Sequence, residues 1–239
     1  MFEKRSYELE RLDTGDYTPE EYERFLREIR FINRFLGDVW ALEKTLLRDV
    51  EKFDLQNFSV LDVGAGSGEL LRVIAKFARR QKRETNLCGL ELNARSACAI
   101  LEESKTFSEI KAVRGDALNL PFADNSFDFI ICSLFTHHFT DENVVAILSE
   151  MARVARRKIY VIDLHRNETA YRLYKIFCAV FRISPLVRED GALSILRSFV
   201  PQELEKLAAK ANLREISVTG HFPSRLVLEA NVSEKFVIN

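Results

Sequence analysis

The stretch Val60-Leu61-Asp62-Val63-Gly64-Ala65-Gly66-Ser67-Gly68-Glu69-Leu70 constrains the fold more than any other feature of the chain. It joins a short apolar run, Ser59–Val63, to a helix pattern from Glu69 to about Arg83, with three glycines at the joint. Glycines there let the backbone turn sharply and approach a ligand with no Cβ in the way. The spacing is not that of a dinucleotide fingerprint, because the third glycine comes one residue early and Glu69 takes its place. Asp62 would also repel a pyrophosphate at the strand end. Both features argue against a nicotinamide-dependent oxidoreductase and for a ligand that is uncharged or cationic at that point.

The same alternation continues along the chain. Strand patterns at Leu87–Leu92, Ile110–Arg114, Phe127–Phe135 and Lys158–Leu164 are separated by helix patterns at Ala94–Lys105 and Glu142–Ala155. Strands separated by helices predict a mostly parallel sheet with helices on both faces. A capped helix at Pro201–Ala211 follows, then strands Arg214–Thr219 and Arg225–Ala230 around the turn-rich Gly220-His221-Phe222-Pro223, an expected antiparallel pair. Upstream, Thr18-Pro19-Glu20-Glu21 reads as a helix start, with Tyr22, Phe25, Ile29, Ile32 and Leu36 at helical spacing; Gly37 breaks this helix and Val39–Phe53 continues as another.

Two more strand ends carry acids: Gly89-Leu90-Glu91-Leu92-Asn93 and Arg114-Gly115-Asp116-Ala117. With the glycine loop, these segments resemble motifs of class I S-adenosylmethionine-dependent methyltransferases, and Leu120–Ile131 is similar to the loop and fourth strand of the quinone- and small-molecule-methylating branch. The resemblance covers roughly residues 56 to 164. It implies a Rossmann-like α/β fold with a seven-stranded, mostly parallel sheet, an antiparallel C-terminal hairpin, a helical N-terminal extension and a helical insertion after strand five. It implies S-adenosyl-L-methionine as cofactor, held by Asp62, Gly64, Ala65, Gly66, Gly68, Glu91, Leu92, Asp116, Ala117, Ser133 and Leu134. In that scheme Glu91 accepts the ribose hydroxyls and Asp116 the adenine amino group. One domain is expected, with residues 1–55 a helical lid, 56–164 the cofactor core, 165–200 a substrate-lid insertion and 201–239 a terminal helix and strand pair.

Chemistry at the acceptor points to histidines. After strand four comes Ser133-Leu134-Phe135-Thr136-His137-His138-Phe139-Thr140-Asp141-Glu142, similar to a series in small-molecule O-methyltransferases that use a histidine base. The match falls on His137, and His138 is its alternative. A neutral imidazole can take the proton a phenol loses as the methyl arrives. His165, beyond strand five, is a candidate second acid/base or substrate anchor, and Asp163 a candidate to hold a histidine tautomer. Tyr171, Tyr174, Phe177, Phe181 and Phe199, with Phe31, Phe35 and Trp40, are candidates either for core packing or for a pocket lining that suits a phenolic, quinone or polyketide-type acceptor. Arg34, Arg188 and Arg197 are candidate carboxylate binders.

O-methylation of such an acceptor leads, with C-methylation of a quinone-like ring close behind. An RNA or protein methyltransferase and a noncatalytic S-adenosylmethionine binder stay open. The basic runs Arg79–Arg83 and Arg153–Lys158 read as solvated helix C-termini, and 35 Lys+Arg against 36 Asp+Glu give no field that draws nucleic acid. Four dispersed cysteines with no C-x-x-C pair read as reduced core fillers, Cys132 among them, with no metal site expected. A charged start and no long apolar run lead us to expect a cytoplasmic protein without a membrane span. The oligomeric state is not set by the sequence.

Overall fold

The computed structural model describes residues 2–33 and 37–232. Arg34, Phe35 and Leu36, singled out above, lie outside the described residues. Seven strands form one sheet: β1 (Asn57–Val63), β2 (Glu84–Glu91), β3 (Ile110–Arg114), β4 (Phe127–Ser133), β5 (Ala155–Leu164), β6 (Arg214–His221) and β7 (Arg225–Asn231). Their order is β3-β2-β1-β4-β5-β7-β6, with β7 antiparallel to both β5 and β6 and the other pairings parallel. The strand order reverses between β1 and β4, the point where sheets of this kind open a crevice at their carboxyl ends. β1 is buried from Phe58 to Val63 on both faces, so its burial does not alternate, and Ser59 and Asp62 are buried with its apolar residues.

Helices cover both sides. On one face lie α3 (Asp38–Leu42), a π-helical turn at Glu43–Leu47, α4 (Arg48–Lys52) and α5 (Glu69–Arg80), packing Leu42, Leu46, Leu71 and Ile74 against Val60, Phe129 and Tyr160. On the other, α7 (Asp141–Val154) and α10 (Pro201–Lys210) pack Ile147, Leu148 and Leu204 against Leu61, Ile130 and Val161. α6 (Ala94–Glu103) follows β2, with the Asn93 side chain capping it at Arg95 N–H, 2.8 Å.

The N-terminal segment contains α1 (Arg11–Thr14) and α2 (Pro19–Asn33). α2 starts where expected: Thr18 Oγ1 accepts the Glu21 N–H and Glu21 Oε2 accepts the Thr18 N–H, a reciprocal capping box. The insertion folds as α8 (Glu168–Val180) and α9 (Pro185–Arg197), and its small core of Tyr174, Cys178, Ile183, Val187 and Ile195 takes in Ile32 of α2. The N-terminal helices and the insertion therefore share one apolar cluster beside the sheet.

Two local readings are corrected. Gly220 and His221 belong to β6, so the joint is shorter than its turn residues suggest. Arg156, Arg157 and Lys158 stand on β5, not at a helix end, because α7 stops at Val154 and the chain enters the sheet at once. Their charges are answered locally: Arg156 and Arg157 by Asp128, Lys158 by Asp49 and Glu229. Arg79 likewise binds Glu109 through two nitrogens at 2.7 Å.

Candidate active site

A cavity of about 410 Å³ opens at the carboxyl end of β1. Asp62, Gly64, Ala65, Gly66, Ser133 and Leu134 line it from the sheet side. Gly64, Gly66 and Gly68 all have positive φ, from 58 to 79°. Gly64 is the position that tolerates nothing else: a Cβ there would lie 2.5 Å from the Phe135 ring. Gly68 is the N-cap of α5 and stands behind the cavity wall.

Asp62 carries the electrostatic signature of the site. It is buried at the end of β1, and its Oδ1 has no hydrogen-bond partner among the described residues. Burial, reinforced by the charge of Glu91, pushes its carboxyl up to about 8. Glu91 closes β2 and accepts the Gly66 N–H at 2.5 Å; burial raises its pKa as well. Two acids converge on one glycine loop with Asp62 unanswered, an arrangement that favours a cationic, hydroxyl-bearing ligand. The donor set thus fits an ammonium and a ribose diol, the polar groups of S-adenosylmethionine.

Residues 60–158 match the family described as a methyltransferase domain. The sheet around that span has the fold of class I S-adenosylmethionine-dependent methyltransferases. Among curated relatives, a demethylmenaquinone methyltransferase of Bacillus licheniformis is 26% identical over 110 residues, covering 46% of this chain and 45% of the relative. An uncharacterized methyltransferase of Bacillus subtilis, YcgJ, is 31% identical over 117 residues, 46% of this chain and 42% of the relative. The chain spans about half the length of the curated relatives it matches. Among solved structures, the magnesium protoporphyrin IX methyltransferase of Synechocystis with bound SAH superposes with a TM-score of 0.62 at 17% identity, covering 90% of this chain and 95% of that one. At that identity the likeness is one of fold.

Within the methyltransferase domain, not every expected cofactor residue reaches the cavity. Glu91, Leu92, Asp116 and Ala117 do not line it. Leu92 is exposed, Ala117 is buried in the core, and Asp116 Oδ1 is turned to the Leu118 N–H at 2.9 Å, a local turn that draws the carboxylate back along its own chain. In their place the cavity takes Tyr22 and Ile29 from α2, Asp38 and Val39 from α3, and Asn93 and Arg95 after β2. Asn93 stood in the strand-end segment already singled out for Glu91. The α2 residues were not, because helical spacing gives a face but not what it faces.

Beyond β4, Thr136–His138 form a single 3₁₀ turn. His137 is buried, with its Nδ1 2.6 Å from Asp163 Oδ1; Asp163 Oδ2 accepts the Thr136 hydroxyl at 2.5 Å and the His137 N–H at 3.1 Å. Burial alone would raise the Asp163 pKa, but the charge and hydrogen bonds of His137, with those of Thr136 and the Leu164 N–H, hold it well below the usual carboxylate range. An ionised Asp163 fixes the His137 tautomer and leaves Nε2 as the ring atom that can take a proton.

The His138 ring lies 4.2 Å, centroid to centroid, from that of His137. Glu10, His137 and His138 each bring a ligand-type atom to within 4.8 Å of the others. That corner already holds a cation: Arg197 Nη1 stands 2.7 Å from Asp13 and 3.6 Å from Glu10. Arg197 also donates to the His138 carbonyl, so it is a brace for the N-terminal segment and not a free carboxylate binder. Arg188 is exposed beside Glu189, away from the cavity. His165 stands outside the histidine group, its backbone N–H bonded to the Ser224 carbonyl; burial and then Arg166 lower its pKa.

Of the aromatic candidates, Phe199 is fully buried in the sheet core, and Tyr174 is buried with its hydroxyl on the Val187 carbonyl, 2.6 Å. Trp40 packs edge-on against His221. None of them lines the cavity, and neither do Phe31, Tyr171, Phe177 and Phe181. Cys132 is fully buried, and burial raises its thiol well above the ordinary range, which suits a strand filler and no nucleophile.

Sequence reasoning missed Arg5. Its side chain is buried and reaches four acceptors: Asp141 at 2.5 Å and the carbonyls of Arg197, Phe139 and His137 at 2.7, 3.1 and 3.3 Å. It fastens the N-terminal segment over the histidine turn, and nothing in a single Arg among charged neighbours announces that.

Proposed function

We propose that this chain transfers the methyl group of S-adenosylmethionine to a small, largely apolar acceptor, with O-methylation of a phenolic or polyketide-type compound as the leading reaction. The observation that carries the cofactor reading is the buried, unpartnered Asp62 carboxylate beside Glu91 and the glycine loop. When bound, the cofactor supplies an electrophilic methyl on a sulfonium. Asp62 would hold its ammonium, and Glu91 its ribose hydroxyls.

His137 is the proposed base. Asp163 keeps its Nδ1 occupied, so Nε2 is the ring atom free to receive the acceptor's hydroxyl proton. His138, adjacent in the same turn, is the alternative proton carrier, and His165 a more distant anchor. The residues 1–55 and 165–200 act as lids, supported by the cluster they share around Ile32 and Tyr174. Their contribution is to align acceptor with methyl and to exclude water. The second reading, C-methylation of a quinone-like ring, is favoured by the demethylmenaquinone methyltransferases among the relatives. Offering labelled S-adenosylmethionine with a panel of phenols, quinones, polyketide lactones and tRNA tests the proposal: label on a small apolar acceptor supports it, and label on RNA alone overturns it.

A further inference from the structure

The helix α8 is apolar on two sides, and among the described residues only one of them is buried. Its inner stripe, Ala170, Tyr174 and Cys178, is buried against the α9 core. A second stripe, Leu173, Ile176 and Val180, stands 56, 59 and 68% exposed, with Phe181 52% exposed at the helix end. Phe181 continues this surface onto α2, its ring 4.5 Å from that of Phe177 and 5.5 Å from that of Phe31. Isolated exposed apolar side chains need no explanation, whereas a contiguous stripe of them marks a contact surface.

The residues bordering this stripe say what it contacts. Leu173, Ile176 and Val180 recur at intervals of three and four, and one position earlier along the same helix run Arg172, Lys175 and Ala179, followed by Arg182. From Thr169 to Arg182 the chain has those three cations and no acid. Arg172 is paired with Glu168 at the helix start, while Lys175 lies over the Tyr171 ring, 5.4 Å from its centroid. An apolar stripe with a basic border is the pattern of a helix that lies in the plane of an anionic membrane surface, apolar residues among the acyl chains and cations at the headgroups. A second copy of α8 would instead bring an identical basic border, with no acid in that span to answer it.

We propose that the outer face of α8, with Phe31 of α2, docks this protein onto an anionic phospholipid bilayer. The proposal stands apart from methyl transfer, because its readout is partition and not turnover. None of the residues it uses lines the cavity.

The test is flotation of the full chain with vesicles of phosphatidylcholine alone and of phosphatidylcholine containing phosphatidylglycerol. The bound fraction on the anionic vesicles should exceed that on the neutral ones by about tenfold and fall as salt is raised. Ile176→Glu with Val180→Glu should abolish binding, and Lys175→Glu with Arg182→Glu should remove the preference for phosphatidylglycerol. S-adenosylmethionine affinity should be unchanged in both. Equal partition onto the two vesicle types, or binding indifferent to both variants, overturns the proposal. So does a wild-type dimer in sedimentation that Ile176→Glu with Val180→Glu turns into a monomer, since the stripe would then belong to self-association.

Discussion

His137 Nδ1 lies 2.6 Å from Asp163 Oδ1, and both side chains are sealed from solvent. The pair joins the turn after β4 to the end of β5, two adjacent parallel strands, so the sheet itself sets its spacing. A base held this way keeps one tautomer and one orientation. His137→Ala should therefore lower single-turnover methyl transfer to a phenolic acceptor by roughly 10²-fold or more with cofactor affinity kept. A drop of less than about threefold removes His137 from the chemistry.

Asp163→Asn separates orientation from charge. The amide preserves the shape but no longer stabilises a protonated imidazole, so turnover should fall by about 10²-fold and the acidic limb of its pH profile should move toward lower pH. If His137 were only a packing residue, the pH profile would keep its shape. The profile is the measurement to compare.

Asp62 makes the unliganded protein sensitive to alkali. Its pKa rises from the model-compound 3.8 to about 8 on folding. Between those values the folded state holds a proton that the unfolded chain has released, so stability falls as pH rises through that window. Asp62→Asn removes the titrating group. Urea midpoints measured at about pH 5 and about pH 9 should drop for the wild type and change less for the variant.

Gly64 is strained against substitution in two ways, a φ of 73° and a Cβ position 2.5 Å from Phe135. Gly64→Ala should cost about 1–3 kcal/mol, visible as a lower thermal midpoint. Trimming the ring in Gly64→Ala/Phe135→Leu should relieve the clash but leave the backbone penalty, so recovery should be partial.

Arg5 is a fork with four acceptors, and its removal strands them. Arg5→Ala should cost about 2–4 kcal/mol and expose the N-terminal segment to faster limited proteolysis. Arg5→Lys should not restore stability, because an ammonium cannot span Asp141 and three carbonyls at once.

The sheet was legible where apolar runs end in glycines or acids. β3 falls at Ile110–Arg114 as expected, and β1 begins two residues before the Ser59 start of the apolar run. Backbone pairing extended β2 upstream to Glu84, through polar residues that carry no strand signal. The cofactor loop was legible because positive-φ glycines leave a mark in sequence; the Asp163–His137 pair was suspected, but only folding supplies its distance. The lid was not. Arg5 reaches Arg197, 192 positions away, and Tyr22 and Ile29 face the same cavity as the glycine loop through tertiary packing. Periodicity reports a helix face and is silent about the surface across from it. Arg156–Lys158 misled for a related reason, since cations at a helix end and cations on a strand answered by Asp128 and Asp49 look alike in one dimension.

The central claim is that the cavity at the end of β1 binds S-adenosylmethionine through Asp62, with Glu91, held beside it on the Gly66 N–H, as the acceptor of the ribose hydroxyls. Calorimetric titration of the full chain with the cofactor, repeated in buffers of different ionisation enthalpy, tests it most directly. The account predicts binding that releases a proton near neutral pH, as Asp62 ionises against the bound ammonium, and loss of that binding in folded Asp62→Ala and Glu91→Ala. Unaltered affinity in both variants would contradict it.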